Sequence, residues 1–137
     1  MKKFKFLEHT ADIKFQAYGK KLEEAFKNSA LAMAKSMYQG KIKPKKKFNI
    51  KVRGKDLESL LYNFLEELII LMDSKGFFVS DIKKIKINKD KFKLEAEAIG
   101  DDAKDYKISL DVKAITYNEM FVKKAIKTWV CQVVLDV

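Results

Sequence analysis

Between Asp56 and Gly76 the chain carries an apolar stripe too broad for a helix surrounded by water. Leu57, Leu60, Leu61, Phe64, Leu65, Leu68, Ile69 and Met72 recur at helical spacing, and a face of that width must be covered by something equally wide. A helix lying on a β-sheet meets the requirement. Asp56 is a favoured N-cap residue and Gly76 a natural stop, so both ends of this helix are written into the sequence. A second stripe, Leu22, Ala25, Phe26, Ser29, Ala30, Met33 and Met37, predicts another amphipathic helix near residues 20–39. Glu23 and Lys27 are spaced for a pair along it, and Gly40 supplies its stop.

Most of the remaining chain alternates. Phe4 and Phe6 alternate with lysines, and Ile13, Phe15 and Ala17 alternate with Asp12, Lys14 and Gln16, the pattern of strands with one buried face. Phe48, Ile50 and Val52 repeat it after a basic loop, 41–47, that holds Pro44. Phe77 to Val79 reads as a short strand. Ile85 and Ile87, then Phe92, Leu94, Ala96 and Ala98, read as a hairpin about Asn88-Lys89-Asp90. Ile108, Leu110, Val112 and Ala114 alternate into Ile115-Thr116-Tyr117, and Phe121 to Ala125 and Trp129 to Val137 close the series. The sum is an α+β chain, a two-layer domain over 1–137 with two amphipathic helices packed on a largely antiparallel β-sheet.

At 137 residues, with 47% hydrophobic and 35% charged residues, the chain can bury a real core and does not read as disordered. No run approaches the roughly 20 apolar residues of a membrane span, and Met1 to Phe6 lacks the apolar stretch of a secretory signal. Cys131 is the single cysteine, which excludes an internal disulfide and a multi-cysteine zinc site. It sits in an apolar strand and reads as a small buried hydrophobe rather than a nucleophile. With no disulfide to form, the expected compartment is the cytoplasm. The net charge of +10 suits an RNA or phosphate-bearing partner, and equally a lysine-rich thermophilic surface.

Three constellations carry candidate chemistry. The last strand ends on Asp136-Val137, setting a side-chain carboxylate one residue before the carboxyl terminus. Asp12, at the start of the second strand, can join them if the first and last strands are neighbours. Hard carboxylate oxygens suit calcium, magnesium or manganese, although spacing alone favours a solvated strand end and a turn-forming Asp over a cation site. His9 is the only histidine; with no nucleophile nearby in sequence it reads first as a hydrogen-bonded turn residue. Lys83, Lys84, Lys86, Lys89, Lys91 and Lys93 cluster on the hairpin, as a solvated edge or as contacts for a phosphate backbone. No glycine-rich phosphate loop or zinc spacing occurs.

Taken in order, Leu7-Glu8-His9-Thr10-Ala11-Asp12-Ile13, the Asp56 to Leu68 helix, Val112-Lys113-Ala114-Ile115-Thr116-Tyr117, and Trp129 with Val133 to Val137 resemble the archease family over nearly the whole chain. The resemblance implies an accessory factor in tRNA splicing rather than an enzyme. Archeases assist the GTP- and manganese-dependent RNA ligase that joins tRNA exon halves, speeding guanylylation of the ligase histidine and allowing multiple turnover. By motif, Asp12 and Asp136 would hold a divalent cation together with Val137, Lys113 would be a functional basic residue beside them, and His9 lies in the N-terminal signature. The ligase would be the partner, with tRNA met indirectly, and neither a membrane nor a small-molecule substrate is implied. The chain departs from the family pattern at Asn118 and near Tyr106, where histidines are common, and at Gly100-Asp101, where Gly-Glu is more usual. Two other readings are a basic RNA-binding module working through the lysine hairpin and a general chaperone or modulator of nucleic-acid enzymes. A small hydrolase using His9 and Asp12 lacks any visible nucleophile or oxyanion loop.

Overall fold

The computed structural model describes residues 2–137. Its elements run β1 (Phe4–Leu7), β2 (Ile13–Gly19), α1 (Leu22–Met37), β3 (Lys46–Arg53), α2 (Leu57–Lys75), β4 (Phe77–Asn88), β5 (Lys93–Asp102), a short 3₁₀ turn (Ala103–Asp105), β6 (Ala114–Lys124) and β7 (Trp129–Asp136). The class is α+β, as the patterning predicts, and every strand pairing is antiparallel. The strands divide into two sheets, β1-β2-β7-β6 and β3-β5-β4. α1 packs on β2 and β4, and α2 on β6, β3 and β4, so each helix spans both sheets.

The helix ends follow from their residues. The Asp56 carboxylate accepts from Ser59 N–H at 2.7 Å while Ser59 Oγ accepts from Asp56 N–H at 3.1 Å, a reciprocal cap. At the other end Gly76 adopts φ 63°, ψ 26°, and its N–H donates to Met72. α1 stops at Met37, before Gly40, with Tyr38 already extended. Lys27 pairs with Asp81 of β4 rather than with Glu23. Phe26 of α1 and Phe64 of α2 stack with ring centroids 6.2 Å apart. Both join Phe15, Ile50, Ile82, Leu94, Cys131 and Leu135 in a hydrophobic core that draws on both sheets.

Three expectations change. Phe77–Val79 and Ile85–Ile87 belong to one strand, β4, whose register with β5 slips between Val79 and Asp81 and again between Lys83 and Lys86. Those bulges, with Lys84 at φ 51°, interrupt the alternation that marks a strand in sequence. Ile108 to Val112 forms no ladder; the segment follows the end of α1, where Ser109 N–H donates to Met37 carbonyl at 3.0 Å. β6 is a single strand, bulged between Thr116 and Phe121 with Glu119 at φ 55°. The hairpin turn lies where the sequence puts it, with Asn88 Oδ1 accepting from Asp90 and Lys91 N–H. No helix among the described residues is long and apolar enough to cross a membrane.

Candidate functional site

β2 and β7 run antiparallel with Ile13 opposite Leu135. One step further along that register sets Asp12 against Asp136, beyond the end of the ladder, where Ala11 at φ 64° turns the chain. Asp12 and Asp136 therefore lie at the same end of the sheet, just past the last paired residues. On the other flank of β7, Ala114 pairs with Asp136, and Lys113 N–H donates to Asp136 carbonyl at 2.8 Å. Asp12, Lys113, Asp136 and Val137 are thereby gathered at one end of the four-stranded sheet, although Lys113 and Asp136 are far from Asp12 in sequence. Asp136 and Lys113 are exposed, Asp12 is half-buried, and Val137 packs against the core. Among the described residues no lysine bridges either Asp12 or Asp136.

His9 stands next to Asp12. Its Nε2 meets Glu119 Oε2 at 2.8 Å, and Glu119 Oε1 accepts from Lys14 Nζ at 3.2 Å. The bond from His9, and then that from Lys14, hold the Glu119 carboxyl below its ordinary range. An ionised carboxylate only accepts, so Nε2 carries the proton in this bond. His9 Nδ1 lies 3.5 Å from Asp12 Oδ2; it is buried and has no hydrogen-bond partner. His9 Nδ1 thus faces the Asp12 carboxylate without a hydrogen bond, and the ligand atoms of His9, Asp12 and Asp136 are not among those that converge within 4.8 Å of one another.

Glu119 is invisible to sequence pattern. Its only signal is that Asn118-Glu119 interrupts the alternation of β6, the mark of the bulge that turns its side chain toward His9. That bulge is braced along the same face of the sheet. Tyr18 hydroxyl donates to Gln16 Oε1 at 2.9 Å, Gln16 Nε2 to Gln132 Oε1 at 2.8 Å, and Gln132 Nε2 to Glu119 carbonyl at 2.8 Å. A continuous polar chain therefore runs from β2 through β7 to the His9 partner.

A second acidic group lies at the end of β5. Asp101, Asp102 and Asp105 bring carboxylate oxygens within 4.8 Å of one another, close enough to hold a metal ion. Its charge is already partly compensated: Lys46 pairs with Asp102, and Tyr106 hydroxyl donates to buried Asp101 at 2.7 Å. That bond holds the Asp101 carboxyl low, while burial pushes the Tyr106 hydroxyl up. Asp101 and Tyr106, two of the three places where the sequence departs from the archease pattern, are thus partners of each other.

The lysine hairpin is partly neutralised in place. Lys83 pairs with Asp81 at 3.1 Å and Lys84 with Glu97 at 3.7 Å, and Lys89 Nζ lies 5.7 Å over the Trp129 ring. Cys131 is fully buried, and desolvation pushes its thiol up to about 12. It is core material.

Comparison with known proteins agrees over the full length. Residues 4–137 match the Archease protein family (MTH1598/TM1083). The protein archease of Pyrococcus abyssi is 40% identical over 142 residues, covering 100% of both chains. The solution structure of protein 1598 from Methanobacterium thermoautotrophicum superposes with a TM-score of 0.84 at 33% identity, again covering 100% of both chains. A crystal structure of an archease and possible chaperone from Thermotoga maritima shares the fold, with a TM-score of 0.63 at 20% identity over 96% of this chain and 94% of that one.

Proposed function

The chain belongs to the archease family, and from that premise we propose that it is an accessory protein of tRNA splicing. It binds a divalent cation at Asp12, Asp136 and Val137 and activates a GTP-dependent RNA ligase. The observation that supports this reading best is the register of the four-stranded sheet. Ile13 opposite Leu135 and Ala114 opposite Asp136 bring two carboxylates and Lys113 to one end without a bridging lysine. Calcium fills such an oxygen set, and magnesium or manganese fits it in function. His9, held by Glu119, stands beside Asp12 at 3.5 Å.

In the proposed mechanism this end of the sheet docks at the nucleotide- and metal-containing active site of the ligase. A bound cation supplies positive charge there. Asp12 and Asp136 would hold it, His9 would stand beside Asp12, and Lys113 would contact a phosphate of the nucleotide. In this reading the bond chemistry belongs to the ligase. The cytoplasm is the compartment this function requires.

The test is ligation of tRNA halves by the partner ligase under single- and multiple-turnover conditions, with and without this protein. Stimulation is expected with the wild type and is lost in Asp12→Ala with Asp136→Ala; Lys113→Ala weakens it with the cation still bound. Full stimulation by the double variant sinks the reading.

A further inference from the structure

Among 29 lysine and arginine residues the chain contains one arginine, Arg53. Wherever a solvated positive charge is sufficient, this sequence uses lysine. Arginine differs in offering a planar fork that grips phosphate through two bonds and stacks on flat rings. Arg53 lies at the end of β3, exposed, and is absent from the ion pairs among the described residues.

It lines an open groove of about 410 Å³ with Gly54, Lys55, Ser59, Asn63 and Tyr117. The groove lies where the end of β3, the first turns of α2 and the edge strand β6 meet. Its backbone is fixed on both sides of the arginine. Asn63 Nδ2 donates to Arg53 carbonyl at 2.7 Å, and Lys55 N–H donates to Ser59 Oγ at 2.7 Å. Gly54 is pressed so close to α2 that a Cβ there would fall 2.6 Å from Leu60 N. The two cationic side chains therefore project from a rigid rim.

The opposite wall is aromatic. Tyr117 stacks on Tyr62 of α2 with centroids 4.4 Å apart and planes 9° from parallel. It nevertheless remains 55% exposed, one of the few large apolar side chains left open to solvent. Burial and the neighbouring Tyr62, Asp56 and Glu66 push its hydroxyl above the ordinary range, so the ring stays neutral. Asp56 is not free to meet a ligand, because its carboxylate is spent on capping α2. A flat ring already stacked on one side, facing an unpaired arginine and a lysine, is arranged for a ligand that is both flat and anionic.

We propose that this groove binds a nucleotide, with its base laid on Tyr117 as the third layer of the Tyr62–Tyr117 stack and its phosphate held by Arg53 and Lys55. The unit recognised is a nucleoside monophosphate, free or within an unpaired stretch of a polynucleotide. The site is independent of the cation reading and operates with every divalent ion removed.

Fluorescence anisotropy with a labelled single-stranded oligoribonucleotide, in chelator and low salt, tests it. The wild type should bind; Tyr117→Ala should weaken binding about tenfold and Tyr117→Phe should preserve it, as stacking on a ring predicts. Arg53→Lys keeps the charge and should still lose several-fold, which a merely electrostatic surface does not do. Competition by guanosine monophosphate but not by inorganic phosphate assigns the site to free nucleotides. Competition only by unlabelled oligonucleotide assigns it to the chain. Both outcomes support a nucleotide site. Equal binding by wild type, Tyr117→Ala and Arg53→Lys, or no binding of either probe to wild type, overturns it. Arg53 is exposed and, among the described residues, unpaired, so Arg53→Lys should melt with the wild type; Tyr117→Ala gives up the Tyr62 stack and should melt somewhat lower, and if it does not fold, Arg53→Lys decides alone.

Discussion

Gln132 of β7 donates its amide to the main-chain carbonyl of Glu119 at 2.8 Å, and so pins the bulge of β6 from inside the sheet. Gln132 is 8% exposed and also accepts from Gln16. Replacing it by alanine strands the Glu119 carbonyl and the Gln16 amide together. Gln132→Ala should cost about 1–3 kcal/mol, read as a lower urea midpoint at unchanged slope. Because Glu119 aims His9, the variant should also weaken cation binding. A midpoint equal to wild type would mean that water replaces the glutamine and that the bulge stands without it.

Gly100 sits opposite Val79 in the β4–β5 ladder, and a Cβ on it would fall 1.9 Å from Phe78 carbonyl oxygen. That oxygen belongs to the backbone and cannot swing aside. Gly100→Ala must therefore push β4 away from β5, directly over the Phe77 and Phe78 side chains that fill the core. A loss of about 3 kcal/mol or more is expected, with poor recovery of folded protein. Near-wild-type melting would show that the two strands part at little cost.

Buried in β7, the Cys131 thiol titrates at about 12 instead of 9.0, raised by desolvation above the opposing bond from Ser29. For a group raised on folding, the associated stability is whole below the unfolded value. It is lost as pH climbs from about 9 toward about 12, because only the unfolded chain then sheds the proton. The stability difference between wild type and Cys131→Ala should shrink across that window. At pH 8 a thiol reagent should modify the native protein only as fast as it opens. Stoichiometric labelling within seconds would contradict the burial.

Legibility in the sequence divides along physical lines. α2 was fully readable, because its stripe, its Asp56 cap and its Gly76 stop are all local signals. β4 and β6 were broken into pieces, because Lys84 and Glu119 adopt positive φ and shift the alternation by a residue. Ile108 to Val112 alternates without pairing, since half-buried extended chain has the same pattern as a strand. Asp12 and Asp136 could be nominated from residue type, but their meeting depends on β2 lying beside β7, a pairing across most of the chain. Glu119 and the Asp101–Tyr106 pair depend wholly on such long-range geometry, and no local spacing announces them.

Asp12 and Asp136 lie at the adjoining ends of β2 and β7 with no lysine bridging either, so the bare protein holds two like charges at that end of the sheet. Opposed like charges on neighbouring strands destabilise by a few tenths of a kcal/mol, less when exposed. In chelator, Asp136→Asn should consequently melt at or slightly above the wild-type temperature. A cation reverses the order. At a concentration of 100 times its dissociation constant it adds about 2.7 kcal/mol to the folded wild type, and nothing to a variant that has lost the site. Thermal melting in calcium, magnesium, manganese and chelator reads both effects without any ligase. The acidic group at Asp101, Asp102 and Asp105 provides the internal alternative. If Asp102→Asn with Asp105→Asn abolishes the cation-dependent rise and Asp136→Asn retains it, the ion is held at the end of β5 and not beside His9.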